Sequence, residues 1–254
     1  MIIRKSPEEI EAMARSGRVV AEALAAAGDA IAPGVTTREL DEIAEELIRA
    51  HGGVPTFKGY RGFPASICAS PNSMVVHGIP GPYRLEEGDV ISIDVGVTLD
   101  GFVADSAFTF PVGTADPEAH RLLEVCQAAL DAGIEAARPG NRVGAISAAV
   151  QQATEAAGFS VVRSLVGHGV GRSMHEEPQV PNHGEPSDGP VLEPGTTIAI
   201  EPMITAGSEE VFVARDGWSI STRDDSLAAH FEHTVAVLED GPRILTAAAV
   251  REPA

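Results

Sequence analysis

Apolar residues recur at helical spacing from the start of the chain. Ile10, Met13, Ala14, Val20 and Leu24 fall on one helical face. Ser6-Pro7-Glu8-Glu9 supplies an N-cap, a proline at the first helical position and acid in the first turn. Pro33-Gly34 closes that element. A second helix is predicted over 37–50, with Leu40, Ile43, Leu47 and Ile48 inward and His51-Gly52-Gly53 as its stop. Residues 54–83 are rich in proline and glycine and read as one long loop. Phe57, Tyr60 and Phe63 make it a functional loop rather than a solvated linker. The period then changes to two over 90–96. Asp100-Gly101 is a hairpin turn, and 102–110 is the return strand. Helical patterns resume over 118–137 and 143–157. Further strands are predicted at 196–201, 211–214 and 228–238. A polar loop covers 181–195, and the tail after Glu239 reads as irregular.

The two halves of this pattern resemble each other. Ala32-Pro33-Gly34 and Arg138-Pro139-Gly140 each precede a helix, 106 residues apart. Glu87-Gly88-Asp89-Val90-Ile91-Ser92-Ile93-Asp94 matches Pro194-Gly195-Thr196-Thr197-Ile198-Ala199-Ile200-Glu201, so Asp94 falls on Glu201 at an offset of 107. Asp105-Ser106-Ala107-Phe108-Thr109-Phe110 resembles Glu232-His233-Thr234-Val235-Ala236-Val237. The pattern predicts an α+β fold: one domain over 1–254, built from related halves at about 6–112 and 113–240.

Composition narrows the class. At 254 residues and 44% hydrophobic, the chain can bury a sizeable core. Lys and Arg number 18 against 37 Asp and Glu, a net charge of −19, which disfavours a generic nucleic-acid or anionic-membrane partner. Cys68 and Cys126 are too few for a disulfide scaffold. The chain start has no apolar run of signal-peptide type, and no run is long enough to cross a membrane. A cytoplasmic protein is expected.

The hairpin register turns composition into chemistry. A two-residue turn at Asp100-Gly101 pairs Leu99 with Phe102, which sets Asp94 opposite Ala107 and Asp105 opposite Gly96. The two acids then share a face as diagonal neighbours, with Cα atoms about 7–8 Å apart. Ser92, Gly96, Val103 and Ala107 around them are mostly small. Taken singly, each acid reads as an ordinary solvated strand residue. The repeat adds Glu201 and Glu232 to the same face. Four buried anions are prohibitive unless divalent cations neutralise them. An oxygen-rich set suits Mn, Fe, Co or Zn.

Of the eight histidines, His51, His120, His183 and His230 sit in polar or turn contexts, so a surface role is expected. His233 alternates with Glu232, faces away and is structural. Three others stand out. His77 lies in Val76-His77-Gly78-Ile79-Pro80, just before the first acidic strand. His168 lies in Gly167-His168-Gly169-Val170-Gly171, where the glycines give it room. His175 follows in Met174-His175-Glu176-Glu177-Pro178. No dinucleotide loop, nucleophile elbow, Walker A or His-Glu-x-x-His occurs.

Together these segments resemble the type I methionine aminopeptidases over nearly the whole chain. Asn72-Ser73-Met74-Val75-Val76-His77-Gly78-Ile79-Pro80, the Asp94–Asp105 hairpin, Gly167-His168-Gly169-Val170-Gly171, Glu201-Pro202 and Phe231-Glu232-His233-Thr234 carry the resemblance. It implies a pita-bread fold, a curved antiparallel sheet flanked by helices. It implies removal of the initiator Met from nascent chains when the second residue is small. The implied metal ligands are Asp94, Asp105, His168, Glu201 and Glu232, holding two divalent ions. His77, His175 and Glu201 are the implied catalytic residues: Glu201 moves a proton, His175 bonds the carbonyl oxygen and His77 attends the scissile nitrogen. His77 and His175 also contact substrate, and Tyr60, Phe63, Cys68 and Trp218 are the expected Met side-chain pocket. Phe57 and Phe63 stand where Cys and Tyr are usual in bacterial members, Val76 where Cys or Thr is, and Met174 where Phe is. A monomer with transient ribosome contact is implied, and Arg4, Lys5, Arg15 and Arg18 are scattered basic candidates for that contact. The rival readings are an X-Pro dipeptidase of the same fold and a non-enzymatic binding protein on the same scaffold.

Overall fold

Local sequence fixes the helix starts. Ser6 Oγ accepts the Glu9 N–H at 3.3 Å, and the Glu9 carboxylate accepts the Ser6 N–H at 3.0 Å. Thr36 and Glu39 repeat this capping box. In the computed structural model, which describes residues 1–247, the first half opens with α1 (Pro7–Asp29) and α2 (Thr37–Ala50). It continues with β1 (Val54–Pro55), β2 (Ile67–Pro71), β3 (Met74–Val76), β4 (Val90–Leu99) and β5 (Phe102–Pro111). The second half opens with α3 (Pro117–Ala136) and α4 (Val143–Ala156). Then come β6 (Ser160–Val161), β7 (Val166–Gly169), β8 (Glu176–Pro181) and β9 (Thr197–Ile200). The chain finishes with β10 (Met203–Thr205), β11 (Val211–Val213), β12 (Ile220–Thr222), β13 (Ala228–His230), β14 (His233–Leu238) and β15 (Gly241–Ile244).

The long hairpin has the expected register. Leu99 pairs Phe102, Asp94 pairs Ala107 and Gly96 pairs Asp105. β4 also pairs β1 and β2, so it is central and its Ile91, Ile93, Val95 and Val97 are fully buried beneath α1 and α2. A second antiparallel sheet runs β15-β14-β9-β7-β8. Its Ile198, Ile200, Val235 and Val237 pack against Leu122, Leu130, Ile146 and Val150 of α3 and α4. Each such side chain contributes roughly 1.5–3 kcal/mol by leaving water.

The hairpin and this second sheet are stitched where the acids lie. Asp105 N–H donates to Thr234 Oγ1 at 2.9 Å, and Thr234 Oγ1 donates to the Asp105 carbonyl at 2.8 Å. Glu232 N–H donates to the Ala107 carbonyl at 2.8 Å, and Ser106 Oγ donates to the Glu232 carbonyl at 2.6 Å. The two acidic hairpins are therefore held side by side by hydroxyls and backbone groups rather than by their own charged side chains.

Three expectations are corrected. Residues 54–83 are not structureless: β2 completes the first sheet by pairing five residues with β4. The tail after Glu239 is not wholly irregular, since β15 pairs with β14; residues 248–254 lie outside the described part. The strand expected over 228–238 breaks at Phe231-Glu232, dividing β13 from β14. That break frees Glu232 from a ladder and lets its backbone reach β5.

Lys5 is not a surface base. Its side chain is 4% exposed and its Nζ lies 2.5 Å from Glu176 Oε2, itself 8% exposed. Glu176 Oε1 accepts the N–H groups of Arg172 and Ser173 at 2.8 and 3.1 Å. The N-terminal strap thereby ties down the loop that carries Met174 and His175. Lys5→Met would leave the Glu176 carboxylate buried without its cation. The expected loss is about 3 kcal/mol, read as a lower urea midpoint; an unchanged midpoint would refute the strap's role.

Candidate metal centre

Four separate segments aim four acids and one imidazole at one point. The hairpin presents Asp94 and Asp105. The residue just past β9 presents Glu201, and the β13–β14 break presents Glu232. β7 presents His168. Its Nδ1 donates to the Gly169 carbonyl at 2.9 Å, which leaves the Nε2 lone pair free. Nε2 lies 3.5 Å from Glu201 Oε1 and 3.9 Å from Asp105 Oδ2. Those spacings exceed hydrogen-bond length and suit two ligands of one ion. Ligand atoms of Asp105, His168 and Glu232 lie within 4.8 Å of one another.

The glycines beside His168 serve a different purpose from the one expected. A Cβ on Gly167 would lie 2.4 Å from the Ala199 carbonyl oxygen, and one on Gly169 would lie 2.2 Å from that of Glu177. They let β7 wedge between β8 and β9, which sets the imidazole's depth.

Burial dominates the electrostatics. It pushes the Asp94 carboxyl from 3.8 up to about 7. It pushes Asp105, Glu201 and Glu232 well above the carboxylate range too, with repulsion among the four adding to the effect. Burial lowers His168 to about 4. His77 is lowered by burial and by His175 beside it; His175 is lowered by burial and by Arg61. The imidazoles are therefore neutral near pH 7 and able to act as ligands or hydrogen-bond partners.

Asp94 Oδ1, Asp105 Oδ1 and Glu232 Oε1 are buried with no hydrogen-bond partner. Unpartnered, buried carboxylate oxygens on three facing residues fit a divalent cation: it would satisfy each of them and cancel their repulsion.

The centre floors a cavity of about 310 Å³, open on one side. That is the low end of the range for ligand pockets, room for a residue or two rather than a long peptide. Tyr60, Phe63, Cys68 and Trp218 all line it, as do His77 and His175. The Phe63 and Trp218 rings meet edge-on at 5.1 Å, and Phe57 backs Phe63 at 6.5 Å. Cys68 pairs across the sheet with Asp94, between apolar wall and acidic floor. Tyr60 does more than line the wall: its hydroxyl lies 2.9 Å from His175 Nδ1, and the two rings stack at 5.5 Å.

His77 takes φ +60°, a conformation that few non-glycine residues adopt. Gly78 N–H donates to Ser70 Oγ at 3.0 Å, and its carbonyl accepts from Ala69 N–H at 2.9 Å. A Cβ on Gly78 would sit 2.2 Å from the Ala69 carbonyl oxygen. The loop is thus pressed onto β2, and the strained backbone directs His77 to the cavity.

His51 and His120 are exposed and His183 is half-buried, whereas His230 contradicts its expected surface role: it is 2% exposed, beside Glu201 and Glu232. The signal was present, since residues 230 and 232 are two apart in an extended stretch and share a face. His233 faces away, and its Nδ1 lies 2.8 Å from Thr246 Oγ1. Arg61, Leu165 and Met203 also line the cavity; no period or motif marks them.

The fold and centre define a metallopeptidase. The description of metallopeptidase family M24 matches residues 11–239, and the chain belongs to that family. Within it, the chain is 50% identical to the methionine aminopeptidase of Clostridium perfringens, covering 97% of this chain and 99% of that one. It is 49% identical to methionine aminopeptidase 1 of Bacillus subtilis over the same shares. The crystal structure of methionine aminopeptidase from Rickettsia prowazekii superposes with a TM-score of 0.96 at 40% identity, covering 97% of this chain and 100% of that one. The fold is the pita-bread fold, and the chain is a hydrolase that uses divalent metal.

The raised carboxyl values set the pH response of the chelated protein. A group whose pKa rises on folding stabilises the fold below its unfolded value and loses that contribution as pH climbs through the folded value. Asp94 therefore destabilises the metal-free protein progressively between about 4 and 7. The buried histidines act oppositely below about 6.5, so the difference between wild type and Asp94→Asn reports the Asp94 charge together with its repulsion of the other three acids. The variant's Tm should gain several degrees on wild type across that interval; parallel Tm curves would contradict this.

Proposed function

We propose that this chain is a metal-dependent aminopeptidase that removes the N-terminal initiator Met from nascent proteins when the second residue is small. The observation that carries the reading is the convergence of Asp94, Asp105, His168, Glu201 and Glu232 on the floor of a cavity of about 310 Å³ with an aromatic wall. We assign these five as ligands of two divalent cations. Mn, Fe, Co and Zn all suit the donor set.

When bound, the ions supply Lewis acidity and make water a nucleophile near neutral pH. The protein's own groups do the remaining work. Phe63, Trp218, Cys68 and Tyr60 hold the Met side chain; a thioether suits an aromatic and sulfur wall. His175, steadied by Tyr60, donates to the scissile carbonyl oxygen as charge develops there. His77 holds the scissile nitrogen. Glu201 accepts the proton of the attacking water and returns it to the leaving amine. The free α-amine of a chain end, in its neutral form, would be held at the ion-bearing floor, which accounts for exopeptidase action.

The halves at about 6–112 and 113–240 form one catalytic domain in this reading. We extend it to a monomeric cytoplasmic protein that meets its substrates at the ribosome. No helix of the described residues is long and apolar enough to cross a membrane. Arg15 and Arg18 are exposed, whereas Lys5 is withdrawn into its pair with Glu176.

Purified protein should release free Met from Met-Ala-Ser after chelation and re-addition of Mn, Co, Fe(II) or Zn. Asp94→Asn should abolish that release. His175→Ala should lower kcat about 10²–10³-fold with metal content intact. Release from Ala-Pro but not from Met-Ala-Ser would replace the reading by an X-Pro dipeptidase. Metal loss in His175→Ala would refute its assignment.

A further inference from the structure

His230 is a buried imidazole that the reaction as described does not use. Its backbone is pinned on one side by Thr109, whose Oγ1 accepts the His230 N–H and donates to its carbonyl, both at 2.9 Å. On the other side it pairs with Met203. The ring therefore cannot swing to solvent. Neither ring nitrogen has a hydrogen-bond partner. A neutral imidazole carries one N–H and one lone pair.

The surroundings assign those two nitrogens. Nε2 lies 3.9 Å from Glu201 Oε2 and 3.9 Å from Glu232 Oε2. Glu201 turns its other oxygen, Oε1, to His168. The carboxylate thus lies between two imidazoles with different tautomer constraints. In His168 a carbonyl occupies Nδ1 and leaves a lone pair at Nε2. In His230 no partner lies within hydrogen-bond distance of Nδ1, whereas two carboxylates face Nε2. They draw the proton to Nε2 and make it a donor.

We propose that His230 is a positioning residue of the metal centre, whose Nε2–H donates to the Oε2 atoms of Glu201 and Glu232 and orients both carboxylates for a divalent cation. The remaining gap of about 1 Å to hydrogen-bond length closes by a small rotation of either glutamate. The inference rests on the metal-centre reading above. Outer partners of this kind fix a ligand's orientation and raise its affinity for the ion.

The test is calorimetric titration of the chelated full chain with Mn²⁺, independent of turnover. His230→Phe keeps a planar aromatic ring, slightly larger, and removes the donor. His230→Gln restores an N–H donor without an imidazole. Affinity should fall about 10–100-fold in the Phe variant and recover most of that loss in the Gln variant. Circular dichroism of the metal-free forms checks the fold, and His230→Leu replaces the Phe variant if that one unfolds. Wild-type affinity in the donor-free variant would overturn the inference alone. A Gln variant as weak as the donor-free one would also overturn it, because the imidazole itself would then be required. A wild type that binds no Mn²⁺ would overturn the metal-centre reading, and this inference with it.

Discussion

Four carboxylates sit where water cannot screen them, and the rest of the molecule is arranged around that fact. Asp94, Asp105, Glu201 and Glu232 repel one another at close range in a medium that penalises each charge separately. Their side chains cannot hold the site together. That task falls to neutral groups: Thr234, Ser106 and the backbone of Glu232 join the two hairpins. A cation converts the repulsion into a common attraction, so scaffold and ion have separate roles: the scaffold fixes position and the ion restores neutrality.

The same economy explains the polarity of the cavity. Its floor carries the carboxylates, and its walls are aromatic, with Met174, Met203 and Cys68 adding sulfur. In the proposed reading the floor takes the amino end of the substrate and the wall an unbranched apolar side chain. The imidazoles are kept neutral by burial, so they can accept, donate or ligate without adding charge. Tyr60 orients His175, the Lys5–Glu176 pair anchors the segment that bears it, and the strained backbone of His77 is clamped by Gly78 against β2. The two imidazoles thus have supports from different parts of the chain.

Much of this was legible in the sequence, and the reason is geometric. Asp100-Gly101 fixes a hairpin register, and the register fixes which side chains share a face; the Asp94–Asp105 pairing follows without further information. Capping residues set the starts of α1 and α2. The 107-residue offset carries the face assignment to Glu201. What was not legible is equally physical. β3, β6 and β10 are too short to show a period. Lys5 looks like a surface base until Glu176, 171 positions away, is brought to it. His230 reads as a surface residue when histidines are taken one at a time, although its two-residue spacing from Glu232 places it on the buried side.

Anomalous diffraction from crystals of the Mn²⁺-loaded protein tests the central claim most directly. The account predicts two Mn²⁺ peaks in the cavity, within coordination distance of Asp94, Asp105, His168, Glu201 and Glu232. A cavity free of anomalous density, with Mn²⁺ bound elsewhere on the chain, would contradict it.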